Sequence, residues 1–208
     1  MPDRPVENVV NWPIDRSRAA LLIHDMQGYF LRPYPQPAKQ PLADLMSNVL
    51  ALREACAEHD VPVLYSRQPG GQTRDQRGLL LDFWGLGLSA NPVDTAIPDA
   101  LTPRPEDHTF DKTRYSAFHN TSLADLLADL RCKQLIICGV YAHIGVRDTA
   151  ADAMMRDIRP FVVADAVADF SLEQHELALR HIVERLGRVM GTRSIITALG
   201  QQDLTTSG

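Results

Sequence analysis

Cysteine is scarce in this 208-residue chain. Cys56, Cys132 and Cys138 are odd in number and form no Cys-x-x-Cys pair. A closed disulfide framework is thereby excluded, and reduced thiols in a cytoplasmic protein are expected. Long apolar runs are also missing, for no stretch approaches the roughly 18 residues of a membrane span. The first eleven residues lack the basic segment followed by an apolar run that marks a signal peptide. The net charge of −5 leaves no cationic footprint for nucleic acid. Gly-x-Gly-x-x-Gly and Gly-x-x-x-x-Gly-Lys are both absent, so a nucleotide cofactor has no cradle. His24 and His143 lack the His-x-x-x-His or Asp-x-His spacing of a metal site, and no metal is expected. There is no internal repeat.

What remains is the composition of an ordinary soluble globular protein, 45% apolar and 23% charged. One domain over residues 1–208 is expected, with loose termini at 1–11 and 201–208 and no carrier domain. Buried-type strands read at Ala19–Ile23, Val61–Ser66, Thr109–Lys112, Leu135–Gly139, Phe161–Ala164 and Arg188–Gly191. Helical spacing runs from Leu42 to Cys56 and from Val146 to Asp157, with a short helix from Ser194. Ser122-x-x-Asp125 and Ser171-x-x-Gln174 read as capping boxes that open two further helices. A Pro-rich loop holds Pro33, Pro35, Pro37 and Pro41. Arg67 to Leu101 is rich in Gly and Pro and reads as a long irregular excursion, with at most one short helix near Gln76–Trp84. Alternating strands and helices predict an α/β fold, a doubly wound, mostly parallel sheet with helices on both faces.

In such sheets ligands bind beyond the C-terminal strand ends. Asp25, Gln68, Lys112 and Tyr141 all fall at or just past such ends. Asp25 is either a turn or capping aspartate or a general acid whose pKa burial would raise. Lys112 is a solvated strand-end cation, a grip for a substrate carboxylate, or a neighbour of Asp25 that pulls its pKa down. Asp111 and Arg114 beside it suit structural ion pairs. Arg77 is either solvated or the forked cation that a dicarboxylic substrate needs. Phe30, Phe83 and Trp84 either pack in the core or wall off a cyclic substrate. Cys138 lies inside a strand, where cysteine is commonly a small buried hydrophobe.

The segment Leu135 to Val146 resembles the nucleophile segment of the cysteine-hydrolase superfamily, with Gly145 in the place of the Cys. Arg18 to Gln27, Lys112 to Phe118, Gly139 to Gly145 and Asp157 to Phe170 resemble the isochorismatase family, and the likeness runs from about Trp12 to Leu199. Gln68-Pro-Gly and Gln76 to Trp84 look most like its phenazine-pathway branch. The resemblance implies a three-layer αβα domain, a homodimer and no cofactor. It carries the acid role to Asp25 and a positioning role to Lys112. Substrate contacts fall to Gln68, Arg77, Trp84, Tyr141, Gly145 and Phe30.

The implied reaction is cleavage of an enolpyruvyl ether on a small dicarboxylic ring substrate, 2-amino-2-deoxyisochorismate, with isochorismate as the alternative. An amidase-like hydrolase and a non-catalytic interaction protein are the distant alternatives. The glycine at 145 is expected to let a substrate carboxylate approach a helix N-terminus. Arg67, where relatives carry a small residue, is expected to add a cation beside the pocket.

Overall fold

A computed structural model describes residues 7–34 and 40–201. The run Ala19-Ala-Leu-Leu-Ile-His24 is buried along its whole length as strand β1 (Ala19–His24). Burial on both faces is what a parallel sheet covered by helices on each side requires. After β1 come α1 (Gly28–Leu31), α2 (Leu42–Glu58), β2 (Val63–Arg67), α3 (Arg74–Arg77), α4 (Leu80–Trp84) and α5 (Pro92–Thr95). The second half holds β3 (His108–Asp111), α6 (Leu123–Asp129), β4 (Gln134–Val140), α7 (Arg147–Met155), β5 (Arg159–Ala168), α8 (Leu172–His181), β6 (Arg188–Met190) and α9 (Thr192–Gly200).

The strands lie in the order β3-β2-β1-β4-β5-β6, and every pair is parallel. The strand period of two splits β1 between two cores. Leu21 and Ile23 pack with Leu45, Val49 and Leu52 of α2 and Ile195 of α9. Ala20 and Leu22 pack on the other face with Leu123 of α6, Ala150 of α7 and Leu179 of α8. The result is the three-layer αβα arrangement. The strand order reverses between β1 and β4, which opens a crevice at their C-terminal ends.

Several local expectations are corrected. Ser122 makes no capping hydrogen bond, because its backbone (φ −80°, ψ 1°) lacks the extended geometry a cap needs. The Thr121 hydroxyl accepts the Leu123 N–H instead, at 3.2 Å. Ser171 does cap α8 by accepting the Gln174 N–H. The excursion after β2 is less irregular than its composition suggests, for it holds α3, α4 and α5. A Thr73–Gln76 capping box opens the first of these.

Strand β5 continues past Ala164 to Ala168. A register shift between Ile137 and Gly139 lets it run on beside Val140. Asn8, in the segment expected to be loose, clasps Val189 of β6 through both backbone groups, at 2.7 and 2.8 Å. Pro35, Pro37 and residues 1–6 and 202–208 lie outside the described residues.

Candidate active site

Asp25, Gln68, Lys112 and Tyr141 are each the first residue after a strand, of β1, β2, β3 and β4 respectively. That shared position gathers them at one rim. Asp25 turns out of the sheet with a left-handed backbone (φ 51°), a conformation that Asp tolerates better than most residues. The turn aims its carboxyl inward, where the residue keeps 4% of its surface exposed. Lys112 is 2% exposed, and its Nζ lies 2.7 Å from Asp25 Oδ2. The ammonium also donates to the carbonyls of Arg114 and Tyr115, at 3.1 and 3.3 Å. Ser66, the β2 residue paired with His24, donates its hydroxyl to Asp25 Oδ1 at 2.8 Å.

Burial acts to raise the Asp25 pKa, but the Lys112 charge and the hydrogen bonds from Lys112 and Ser66 outweigh it and hold the carboxyl below its ordinary 3.8. Asp25 is therefore held toward its carboxylate form beside the Lys112 side chain. Of the roles open to Lys112, the structure shows the one beside Asp25.

The rest of the site is built by Gln27. Its side-chain amide accepts from the Gln68 N–H at 2.7 Å and donates to the Gln68 and Thr95 carbonyls, each at 3.0 Å. This clamp fixes the loop that carries Gln68. Arg77 comes from α3 and is 3% exposed. It donates to the Gly85 carbonyl at 3.0 Å and reaches Gln68 Oε1 at 3.5 Å. Among the described residues no carboxylate pairs with it, and burial lowers its pKa.

A cavity of about 390 Å³ joins these groups, and Phe30, Trp84, Tyr141 and Gly145 line it. The Tyr141 hydroxyl donates to the Phe30 carbonyl at 2.6 Å, and its ring centroid is 4.1 Å from that of Phe170. Phe170 stacks on Trp84, whose indole N–H donates to the Tyr115 hydroxyl at 2.7 Å. A cavity with apolar walls and a few buried polar groups at its floor suits a small ring bearing carboxylates.

Residues 19–194 match the isochorismatase domain family. The chain belongs to the isochorismatase family. It is 46% identical over 194 residues to a probable isochorismatase of Pseudomonas chlororaphis, covering 93% of this chain and 92% of that one. It is equally 46% identical, over 189 residues, to the phenazine biosynthesis protein PhzD of Pseudomonas fluorescens, covering 91% of this chain and 90% of the relative. Enterobactin synthase component B of Escherichia coli K12 is 45% identical, covering 92% of this chain and 67% of that protein. Among solved structures, a cysteine hydrolase from Pseudomonas syringae pv. phaseolicola superposes with a TM-score of 0.84 at 25% identity, covering 96% of this chain and 99% of that one. The chain is thus a hydrolase of the isochorismatase type.

Within this isochorismatase-family site two expectations fail. Phe83 is 76% exposed and walls nothing. It neighbours Trp84 on α4, where successive side chains point about 100° apart, so only one of the two can face the cavity. Arg67 adds no cation to the pocket. It ends β2 directly opposite Asp111 and pairs with it across the strands at 2.8 Å. Gly145 lies in the first turn of a helical run that opens at Ala142 with wide π-type geometry and continues directly into α7.

Cys138 is buried within β4, and burial pushes its thiol well above the usual range. His143 is bound to Asp169, ring to carboxylate at 2.6 Å. Among the described residues no three His, Cys, Asp or Glu side chains converge as a metal site would need. No described helix is long and apolar enough to cross a membrane.

Ser66, Tyr115 and Phe170 also belong to the site without having been singled out in the sequence, and His24, weighed there only as a metal ligand, lies in it as well. His24 and Ser66 sit at the ends of apolar strands, a signal that could have found them.

Proposed function

We propose that this protein hydrolyses the enolpyruvyl ether of 2-amino-2-deoxyisochorismate to trans-2,3-dihydro-3-hydroxyanthranilate and pyruvate, with Asp25 as the general acid. The observation that carries this reading is the buried Asp25–Lys112 pair in a pocket whose position 145 bears no side chain. Arg77, buried without a carboxylate partner among the described residues, supports a substrate that brings its own carboxylate.

The steps follow from the charges. A free site with Asp25 ionised holds two cations, Lys112 and Arg77, against one anion. Entry of a dicarboxylate adds two negative charges and pushes the Asp25 pKa upward, so the carboxyl takes up a proton. Asp25 then delivers that proton to the terminal methylene carbon of the enol ether. The resulting oxocarbenium ion is captured by water. The Asp25 carboxylate takes back the surplus proton of the added water, and the neutral hemiketal passes its hydroxyl proton to the ring oxygen as that carbon–oxygen bond breaks, releasing pyruvate and the ring alcohol. Lys112 holds the acid in place, while Gln68, Tyr141, Phe30 and Trp84 bound the substrate.

Gln76 to Trp84 supplies Arg77, Leu80 and Trp84 to one wall. Its phenazine-type look, and the phenazine biosynthesis relative, favour the 2-amino ring. The enterobactin relative keeps isochorismate as the alternative. The two differ by one polar substituent. Discrimination below about a hundredfold is expected where no buried group is dedicated to such a substituent. Competition between both compounds at equal concentration tests the choice by the ratio of specificity constants. A clear preference for isochorismate reverses it, and turnover of neither sinks the reading. The assembly is read as a homodimer, and a monomer in sedimentation velocity overturns that.

A further inference from the structure

Directly beneath the cavity, His24 and Gly145 compete for one volume. His24 ends β1 and is wholly buried. A Cβ built on Gly145 would stand 2.2 Å from His24 Cε1, 2.9 Å from Nε2 and 3.2 Å from Nδ1. Real carbon contacts do not approach so closely, so any side chain at 145 needs the ring to move.

The ring cannot move cheaply. Its Nδ1 lies 2.8 Å from the Val140 carbonyl, an acceptor, which places the proton on Nδ1. The ring also hydrogen-bonds the Tyr115 backbone, and its Nε2 faces the Thr149 hydroxyl at 3.4 Å. That hydroxyl already accepts the Ala117 N–H at 2.9 Å, so its own proton is free to point at Nε2. The main chain leaves no slack either. Gly139, the register partner of His24, has φ +110° and brings β4 so close to β1 that a Cβ there would meet the His24 carbonyl at 2.2 Å. Both ring nitrogens are thus committed, and the backbone behind the ring is packed against its neighbour.

We propose that His24 is a specificity-determining residue: its imidazole occupies the space into which any side chain at position 145 would project, which keeps a nucleophile out of the pocket floor and leaves Asp25 as the reacting group. The proposal rests on the reading of Asp25 as the acid. It changes the account of position 145, where the ring of β1, ahead of any substrate, imposes glycine. A nucleophile at 145 and a histidine at 24 are therefore mutually exclusive in this fold.

The test is a double-substitution cycle read by melting temperature, with none of its structural arms depending on any substrate. Gly145→Ala alone is expected to lower Tm by several degrees. In a His24→Ala background the same change is expected to leave Tm unchanged or raise it, because the methyl enters vacated space and Ala favours helix over Gly. A second arm reads chemistry. Gly145→Cys in the His24→Ala background is expected to be alkylated by iodoacetamide at the introduced thiol at least tenfold faster than at Cys56, Cys132 or Cys138, as located by peptide mass spectrometry. In the presence of His24 the introduced thiol is expected to stay unmodified or the protein to be recovered poorly.

An unaltered Tm for Gly145→Ala, or an equal loss in both backgrounds, overturns the proposal. So does equal alkylation with and without His24. Failure of the vinyl ether chemistry would appear instead as a wild-type protein that turns over neither ring substrate while the sign reversal in Tm persists.

Discussion

Lys112 Nζ sits 2.7 Å from Asp25 Oδ2 with both side chains almost fully enclosed. The pair is therefore both the reactive centre of the proposed mechanism and a structural liability. Removing one partner of a buried pair strands the other, at a cost of about 3–5 kcal/mol. Asp25→Asn also strands the Lys112 charge but keeps the hydrogen-bonding shape, so it is expected to fold with a lowered Tm while losing pyruvate release by at least about a thousandfold. Asp25→Ala is expected to lose the same activity and also several degrees of Tm. Pyruvate release by Asp25→Asn within tenfold of wild type would refute the acid assignment.

Ligand binding should move a proton. Lys112 keeps Asp25 ionised in the free site, and a dicarboxylate is expected to reverse that. Titration calorimetry of a dicarboxylic ring analogue, in buffers of differing ionisation enthalpy near pH 7, should show uptake of roughly one proton per site. With Lys112→Met the largest influence that opposes burial is removed, leaving the Ser66 hydrogen bond, so the uptake should shrink. Binding without proton exchange in the wild type would contradict the charge argument.

His24 sets an acid limit on stability. Burial foremost lowers its pKa from 6.5 to about 4, against the opposing pull of the Asp25 carboxylate and with the aid of Lys112. Between those two values the unfolded chain binds a proton that the folded chain refuses. Stability contributed by the neutral ring is complete above pH 6.5 and is lost as pH falls toward 4, by about 3 kcal/mol in all. The Asp25 contribution has the usual carboxylate sign and is lost only below its ordinary 3.8. Urea unfolding from pH 7 to pH 4 should show the loss, and His24→Asn should flatten it. An equal slope in both proteins would show that other groups are responsible.

Arg77 should act on binding. Its guanidinium is fixed by the Gly85 carbonyl and reaches Gln68. Arg77→Ala is expected to raise KM at least tenfold with a smaller change in kcat. Arg77→Lys should recover little, because a point charge does not meet a carboxylate as a fork does. A normal KM in Arg77→Ala would remove this residue from the substrate site.

Much of this arrangement is legible in the sequence, because polar residues that directly follow apolar strands are delivered to one rim of a parallel sheet. That rule suffices to gather Asp25, Gln68, Lys112 and Tyr141. It fails where tertiary contacts decide. Phe170 lines the pocket two residues past the end of β5, which the register shift beside Gly139 carries beyond its expected end at Ala164. Arg67 looks like a pocket cation until its cross-strand partner, Asp111, is known. His24 reads as one polar residue at the end of an apolar run, and its bearing on Gly145 depends on two segments more than a hundred positions apart meeting at van der Waals distance. The capping box at Thr73 was open to view and was hidden only by the glycines and prolines around it.

The central place of β1 has a consequence for the nascent chain. Leu21 pairs with Val63 on one side and with Ile136 on the other. The first partner leaves the ribosome soon after β1, whereas β4 arrives only after the whole middle of the chain has been made. Until then a strand apolar from Ala19 to Ile23 presents one unpaired edge to its surroundings, a template for intermolecular pairing. Long-range parallel pairing of this kind also slows folding, since the loop must close before its contacts give any return. The same strand that delivers Asp25 to the reaction is thus exposed to mispairing before the reaction exists.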